Sequence, residues 1–219
     1  METEIISCRT LETELTQAMK NTGTEYPVHY LESGLHNTPA KLFQRMSEVL
    51  EPIPPGRVLV AMGYCGNSIS GLQAGDHELI VPRVDDCISL LLGSNRIRAD
   101  ISREYAAYFL TEGWMRGERN IWVEHQHAVE KYGEEMAEEL AEMLYGHYRT
   151  LGLLNTGAEP IEPLIEKTQI IADTLHLTQK ILPASVAYLE ELLTGPWPEE
   201  RYLIKPPGSV ITPGDLWPG

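Results

Sequence analysis

The order of segments along this chain predicts an α/β fold: an open, mostly parallel sheet with helices on both faces, built from Rossmann-like βαβ units. Three observations carry that expectation. Short β-rich runs alternate with amphipathic helical stretches, the pattern of strands joined by covering helices. The strongest run, "RVLVAMGYC" from Arg57, is apolar without alternation, as a strand buried on both faces must be. With 42% apolar residues, a chain of 219 can bury a proper core, and neither an internal repeat nor a flexible linker divides it, so one α/β domain over residues 1–219 is expected.

Each element follows from local signals. "EIISC", Glu4 to Cys8, reads as a strand; the next stretch puts Leu11, Leu15 and Ala18 on one helical face before Gly23 stops it. "YPVHYLES" is a second strand, and the helix after it opens with Thr38 as N-cap and Pro39 at its first position, then repeats Leu42, Met46 and Leu50. "PIPPG" is a rigid link to the Arg57 strand, which ends at Cys65, where a third strand-to-helix turn is expected. "ELIVPRV" is a fourth strand that Pro82 ends early or confines near an edge. "DDCISLLLGSN" is a short helix with Asp85 as N-cap and Gly93 near its end. "EYAAYFLTEGWM" reads as strand in preference to helix. Residues 118–148 carry the longest helical pattern, with a break at Gly133 and an acid-rich, solvated face. Strand, helix, strand and helix then follow at "TLGLLNTG", 160–172, "TLHLTQK" and 183–193, and "RYLIK" leads into a Pro/Gly-rich tail with no helical period.

Charge narrows the function classes. Thirty-two acids against 17 bases give a net charge of -15, which repels a phosphate backbone and an anionic membrane surface. Nucleic acid and membrane are therefore not expected partners. No stretch approaches the roughly 20 apolar residues of a membrane span, and the first residues lack a basic region followed by an apolar one, so a cytoplasmic location is expected. Three cysteines are too few and odd in number for a disulfide framework, which leaves them as thiols or metal ligands.

Their placement is the most informative feature of the chain. Cys8 ends the first strand, Cys65 the third, Cys87 opens the helix after the fourth, and His36 lies in the loop after the second. In a parallel sheet the carboxyl ends of the strands share one edge, where ligands collect. Four soft or borderline ligands thus converge, a donor set suited to zinc or iron with an open position. No CxxC or HExxH motif supports this locally, and a free cysteine taken alone is more often small packing than ligand. A helix N-terminus favours the Cys87 thiolate, while Asp85 and Asp86 oppose that charge and offer hard ligands or acceptors around a metal. Trp114, beside two glycines, reads as a lid, a packing residue or a platform for a flat ligand, and Tyr148 with the turn Asn155–Gly157 stands at another junction on the same edge. His125 and His127, two apart on a helix, are expected as a solvated pair. Neither a GxGxxG, a Walker loop nor a GxSxG is present, so nucleotide and serine-hydrolase readings lack support.

The blocks "CRTLETEL", "LESGLHNTPAKL", "LVAMGYCGNSISGL", "IVPRVDDCISLLLGS", "YFLTEGW" and "YRTLGLLNTG" resemble an uncharacterised prokaryotic family of unknown function, found near genes of corrinoid-dependent methyltransferases that act on methylamines and similar methylated substrates. The resemblance extends over almost the whole chain. It implies Cys8, His36, Cys65, Asn67, Asp85, Asp86, Cys87 and Ser94 as the recurring polar positions, and a corrinoid protein or a methyltransferase as partner. Two readings follow. In one, a Cys/His metal site at the sheet edge serves corrinoid-linked methyl transfer, as accessory factor or as an enzyme of methyl or thiol transfer, with a corrinoid carried by the partner. In the other, the protein is a non-catalytic small-molecule or anion sensor whose cysteines are structural.

Overall fold

The computed structural model describes residues 2–117 and 119–216. The first half runs β1 (Thr3–Cys8), α1 (Glu12–Thr22), β2 (Val28–Leu31), α2 (Pro39–Leu50), β3 (Arg57–Ala61), β4 (Glu78–Pro82), α3 (Cys87–Leu92) and α4 (Asn95–Tyr105). Then come β5 (Ala107–Leu110), α5 (Glu112–Met115), α6 (Ile121–Tyr132), α7 (Glu134–Tyr145) and β6 (Thr150–Asn155). The chain continues with α8 (Glu162–Thr174), β7 (Thr178–Pro183), α9 (Ala187–Thr194), β8 (Tyr202–Lys205) and α10 (Pro213–Leu216).

The expected mostly parallel α/β architecture is present, divided between two sheets. The larger has the order β2-β1-β3-β4-β8, parallel throughout except that β8 runs antiparallel to β4; the smaller, β5-β6-β7, is parallel. The division has a simple cause. Residues 202–205 return to occupy the free edge of β4, so the strands between them in sequence pair among themselves. One contiguous core still joins both sheets, packing Ile5, Leu59 and Ile80 with Ala107, Phe109, Leu154 and Leu182; a smaller one gathers Leu110, Leu151, Leu153, Leu164 and Ile171.

Local signals account for most of the elements. Leu15 and Ala18 are buried on α1, which ends at Gly23 in the left-handed conformation at φ 68°. Leu42, Met46 and Leu50 form the buried face of α2 behind Pro39. Thr38 holds the N-cap position there, but its side chain makes no capping bond. Pro82 is the last residue of β4, as a residue without a donor dictates. Gly133 divides α6 from α7, and Glu118, where that pattern was expected to open, lies outside the described residues.

Several expectations are corrected. The link from β3 to β4 contains no helix; residues 62–77 cross in a series of turns, braced by the C-terminal segment. Gly71 donates to Ile211, Ile211 to Leu72, and Ala74 to Ser209, at 2.7, 2.9 and 2.8 Å. These bonds replace the backbone pairing that a helix would have supplied. Asp86, not Asp85, caps α3, accepting from the Ser89 amide at 2.7 Å. The stretch "EYAAYFLTEGWM" is strand only over β5 and continues as the short helix α5. The helix α4 has no fully buried residue, which is why its apolar pattern does not announce it. The strand expected at "TLHLTQK" begins four residues later and extends to Pro183, so α9 starts at Ala187. In the tail, residues 213–216 form the short α10; residues 217–219 lie outside the described part. His125 is buried and stacked on Trp122 with ring centroids 5.7 Å apart, while His127 is exposed; the expected solvated pair is half right.

Candidate functional site

In the order β2-β1-β3 the chain leaves β1 to one side and returns on the other, so the loops after β1 and β3 part and leave a crevice between them. Cys8 is the last residue of β1, Cys65 lies in the loop after β3, and Cys87 is the first residue of α3 after β4. The short turn of 3-10 helix after β2 supplies His36. All four line one cleft of about 760 Å³, together with Thr10, Asp85, Asp86 and Arg98. Trp114 and Tyr148 line it as well. Asn67 and Ser94 stand outside the lining; Ser94 caps α4 by accepting from the Ile97 amide at 3.2 Å.

The three cysteines gather around Cys87. Cys87 is buried and interacts with both Cys65 and Cys8, and Cys8 also meets Thr10 Oγ1 at 3.0 Å. Two backbone bonds set this arrangement. Tyr64 and Cys65 donate to the carbonyls of Val84 and Asp85 at 2.9 and 2.7 Å, which extends the β3–β4 pairing beyond the strands and lays one cysteine loop on the other. Gly63 allows the approach: a Cβ on it would stand 2.5 Å from the backbone of Asp86. Beyond it, Cys65, Gly66 and Asn67 are all left-handed, at φ 44°, 67° and 66°. The two non-glycine residues of the three, Cys65 and Asn67, cost about 1–3 kcal/mol each in this conformation and persist in it where surrounding contacts impose it, a frequent mark of functional loops.

Electrostatics fix the protonation of the cluster. The hydrogen bond with Cys87, and then burial, push the Cys8 thiol well above its ordinary value. For Cys87 the push comes first from Cys65, against the opposite pull of the Cys8 bond, with burial adding to it. Both stay thiols at neutral pH. Burial lowers the pKa of His36, with the charge of Asp86 acting the other way, so the imidazole is uncharged at pH 7. Asp86 also pairs with Arg98 at 2.8 Å, and Asp85 accepts from the Asn95 amide group at 2.9 Å. Burial, and then the neighbouring Asp86, raise the pKa of Asp85.

Ala107, Tyr108, Phe109, Trp114 and His147 give the same cleft a largely aromatic wall. Arg98, Tyr108, Phe109 and His147 escaped the sequence reading. Arg98 lies on the unannounced α4, and the strand residues read simply as core; only His147, next to Tyr148, was within reach of the same argument. The turn Asn155–Gly157 does not reach the cleft and makes ordinary turn bonds, Gly157 donating to Asn155 Oδ1 at 3.3 Å. Three thiols and a neutral imidazole are donors of the kind zinc and iron take. Among the described residues, no group of three or more His, Cys, Asp or Glu side chains stands so that it could hold a metal ion. No helix among them is long and apolar enough to cross a membrane.

A family model described as "Protein of unknown function (DUF1638)" matches residues 30–193, a span that includes His36, Cys65, Cys87 and the aromatic wall. No curated protein and no solved structure matches the chain.

Proposed function

The chain belongs to the DUF1638 family, whose description carries no activity, and on that footing we propose that the cleft is a soft-metal centre. Cys8, Cys65 and Cys87 hold a zinc or iron ion, with His36 as fourth ligand or leaving that position open to a substrate. The observation that supports this most is the gathering of three cysteines, from the end of β1, the loop after β3 and the start of α3, in the lining of one cleft that also receives an uncharged imidazole. The reading requires the sulfurs to turn from one another onto the ion and to release their thiol protons to solvent as the metal–sulfur bonds form, so that metal uptake falls as pH is lowered. A metal ion so held keeps an incoming thiol as thiolate at neutral pH, the species that accepts a methyl group. Taken with the resemblance to a family found near genes of corrinoid-dependent methyltransferases, that chemistry leads us to propose corrinoid-linked methyl transfer, as accessory factor or as a methyl- or thiol-transferring enzyme, with a corrinoid protein or methyltransferase as partner.

A second reading takes the cleft as a small-molecule or anion binding site in a non-catalytic sensor. The aromatic wall and the absence of a ready metal geometry among the described residues favour it. Metal analysis separates the two. Protein purified without oxygen should carry about one equivalent of zinc or iron per chain, and a Cys8→Ser, Cys65→Ser, Cys87→Ser variant of unchanged circular dichroism should carry almost none. Equal, trace metal in both proteins would leave the sensor reading in possession of the cleft.

A further inference from the structure

Outside the cleft, the clearest unexplained surface is the hairpin of α6 and α7. These helices pack mainly on each other, and four of the large apolar side chains exposed on the molecule lie on the hairpin. Tyr132 is 54% exposed, Met136 46%, Met143 78% and Leu144 56%. On α7, Met136, half-buried Leu140, Met143 and Leu144 follow one another at helical spacing and form a single ridge. Glu135, Glu139 and Glu142 run alongside it at the same spacing, and Glu134 and Glu138 add to the charge of the helix. An apolar ridge of methionine and leucine that water would otherwise cover is a docking surface in search of an apolar counterpart.

We propose that this ridge docks a partner protein through an amphipathic surface whose apolar residues are bordered by lysine or arginine. Charge decides the class of occupant. A second copy of this chain, itself at -15, would bring the same five glutamates of α7 against these, and like charges in juxtaposition oppose association. A basic border answers them, steers the approach and leaves the methionines to adapt to the apolar face. From the end of α7 the chain passes within three residues to His147 and Tyr148 in the cleft wall, so the ridge ends beside the cleft. The proposal concerns the hairpin alone and stands whether the cleft holds a metal or a small molecule.

The test uses the full chain and a synthetic amphipathic helix of leucine and lysine, with a leucine and glutamate helix as control. In methyl NMR spectra of the seven methionines, the lysine peptide should shift Met136 and Met143 first, and the control should shift none. A Met136→Glu, Met143→Glu variant makes the protein more acidic, so binding by charge alone would tighten; docking on the ridge predicts binding about tenfold weaker. Ile170→Glu, on the exposed face of α8, adds charge elsewhere and should leave affinity undiminished. Tighter or equal binding by the double variant, or shifts confined to other methionines, would overturn the proposal. A dimer in sedimentation that the double variant abolishes would overturn it in favour of a second copy.

Discussion

Replacing Gly63 by alanine should loosen the cysteine cluster by a calculable amount. The added Cβ would meet the N, Cα and C atoms of Asp86 at 2.5 Å, against 3.4 Å for ordinary contact. Backbone cannot rotate away as a side-chain tip can, so the two loops must part by about 0.9 Å, the difference of those distances. The amide bonds from Cys65 to Asp85 and from Tyr64 to Val84, now 2.7 and 2.9 Å, would stretch to about 3.6 and 3.8 Å, beyond the useful range. Two buried backbone bonds lost at about 1 kcal/mol each, with some strain retained, give about 2–3 kcal/mol. For a chain of this length that is a fall in Tm of about 5–10 °C. The same parting separates Cys87 from Cys65. Phenylarsine oxide, whose arsenic forms two As–S bonds only with adjacent thiols, reads that contact directly. Wild type should bind the reagent tightly, and Gly63→Ala should bind it about tenfold more weakly. A variant with unchanged Tm and unchanged arsenical affinity would refute the account of how these loops are laid together.

Three further outcomes are expected. His36→Ala should lower metal occupancy of anaerobically purified protein while Tm moves by no more than about 1 °C, since a half-exposed side chain with no direct bond contributes little to the core; unchanged occupancy would remove His36 from the ligand set. Asp86→Ala should cost about 1–2 kcal/mol in urea unfolding, mostly the lost cap on α3, because the Arg98 pair is exposed enough at both ends to add little; a neutral result would mean that α3 is held by packing alone. Glu14 is buried with Oε2 unpartnered, and burial raises its pKa above the unfolded value. The folded state then holds the extra proton, so stability is fuller below the unfolded carboxylate pKa and falls as pH rises through the folded one. Glu14→Gln should therefore raise the urea midpoint at pH 7, flatten its pH dependence and match wild type at acid pH; a parallel pair of curves would show that Glu14 does not carry the effect.

What the sequence by itself determined is whatever a short stretch decides alone. Gly23 and Gly133 end their helices because few other residues adopt those angles, and Leu42, Met46 and Leu50 share a face because the helix repeats every 3.6 residues. The meeting of Cys8, Cys65, Cys87 and His36 was legible for a related reason: strands that run parallel end on one edge, so position along each strand is enough. Tertiary structure decided everything that turns on which distant segment covers which edge. The claim of residues 202–205 on the edge of β4 split the sheet. The Cys65 and Gly63 loop took the carbonyl of Asp85 and left Asp86 to cap α3. His125 is buried on α6, the helix that packs against α7, and strand β5 with the segment after α7 built the aromatic wall from residues that locally read as core. Each of these is a competition between remote partners for one set of backbone donors or one apolar surface, and its outcome is written in no single stretch of the chain.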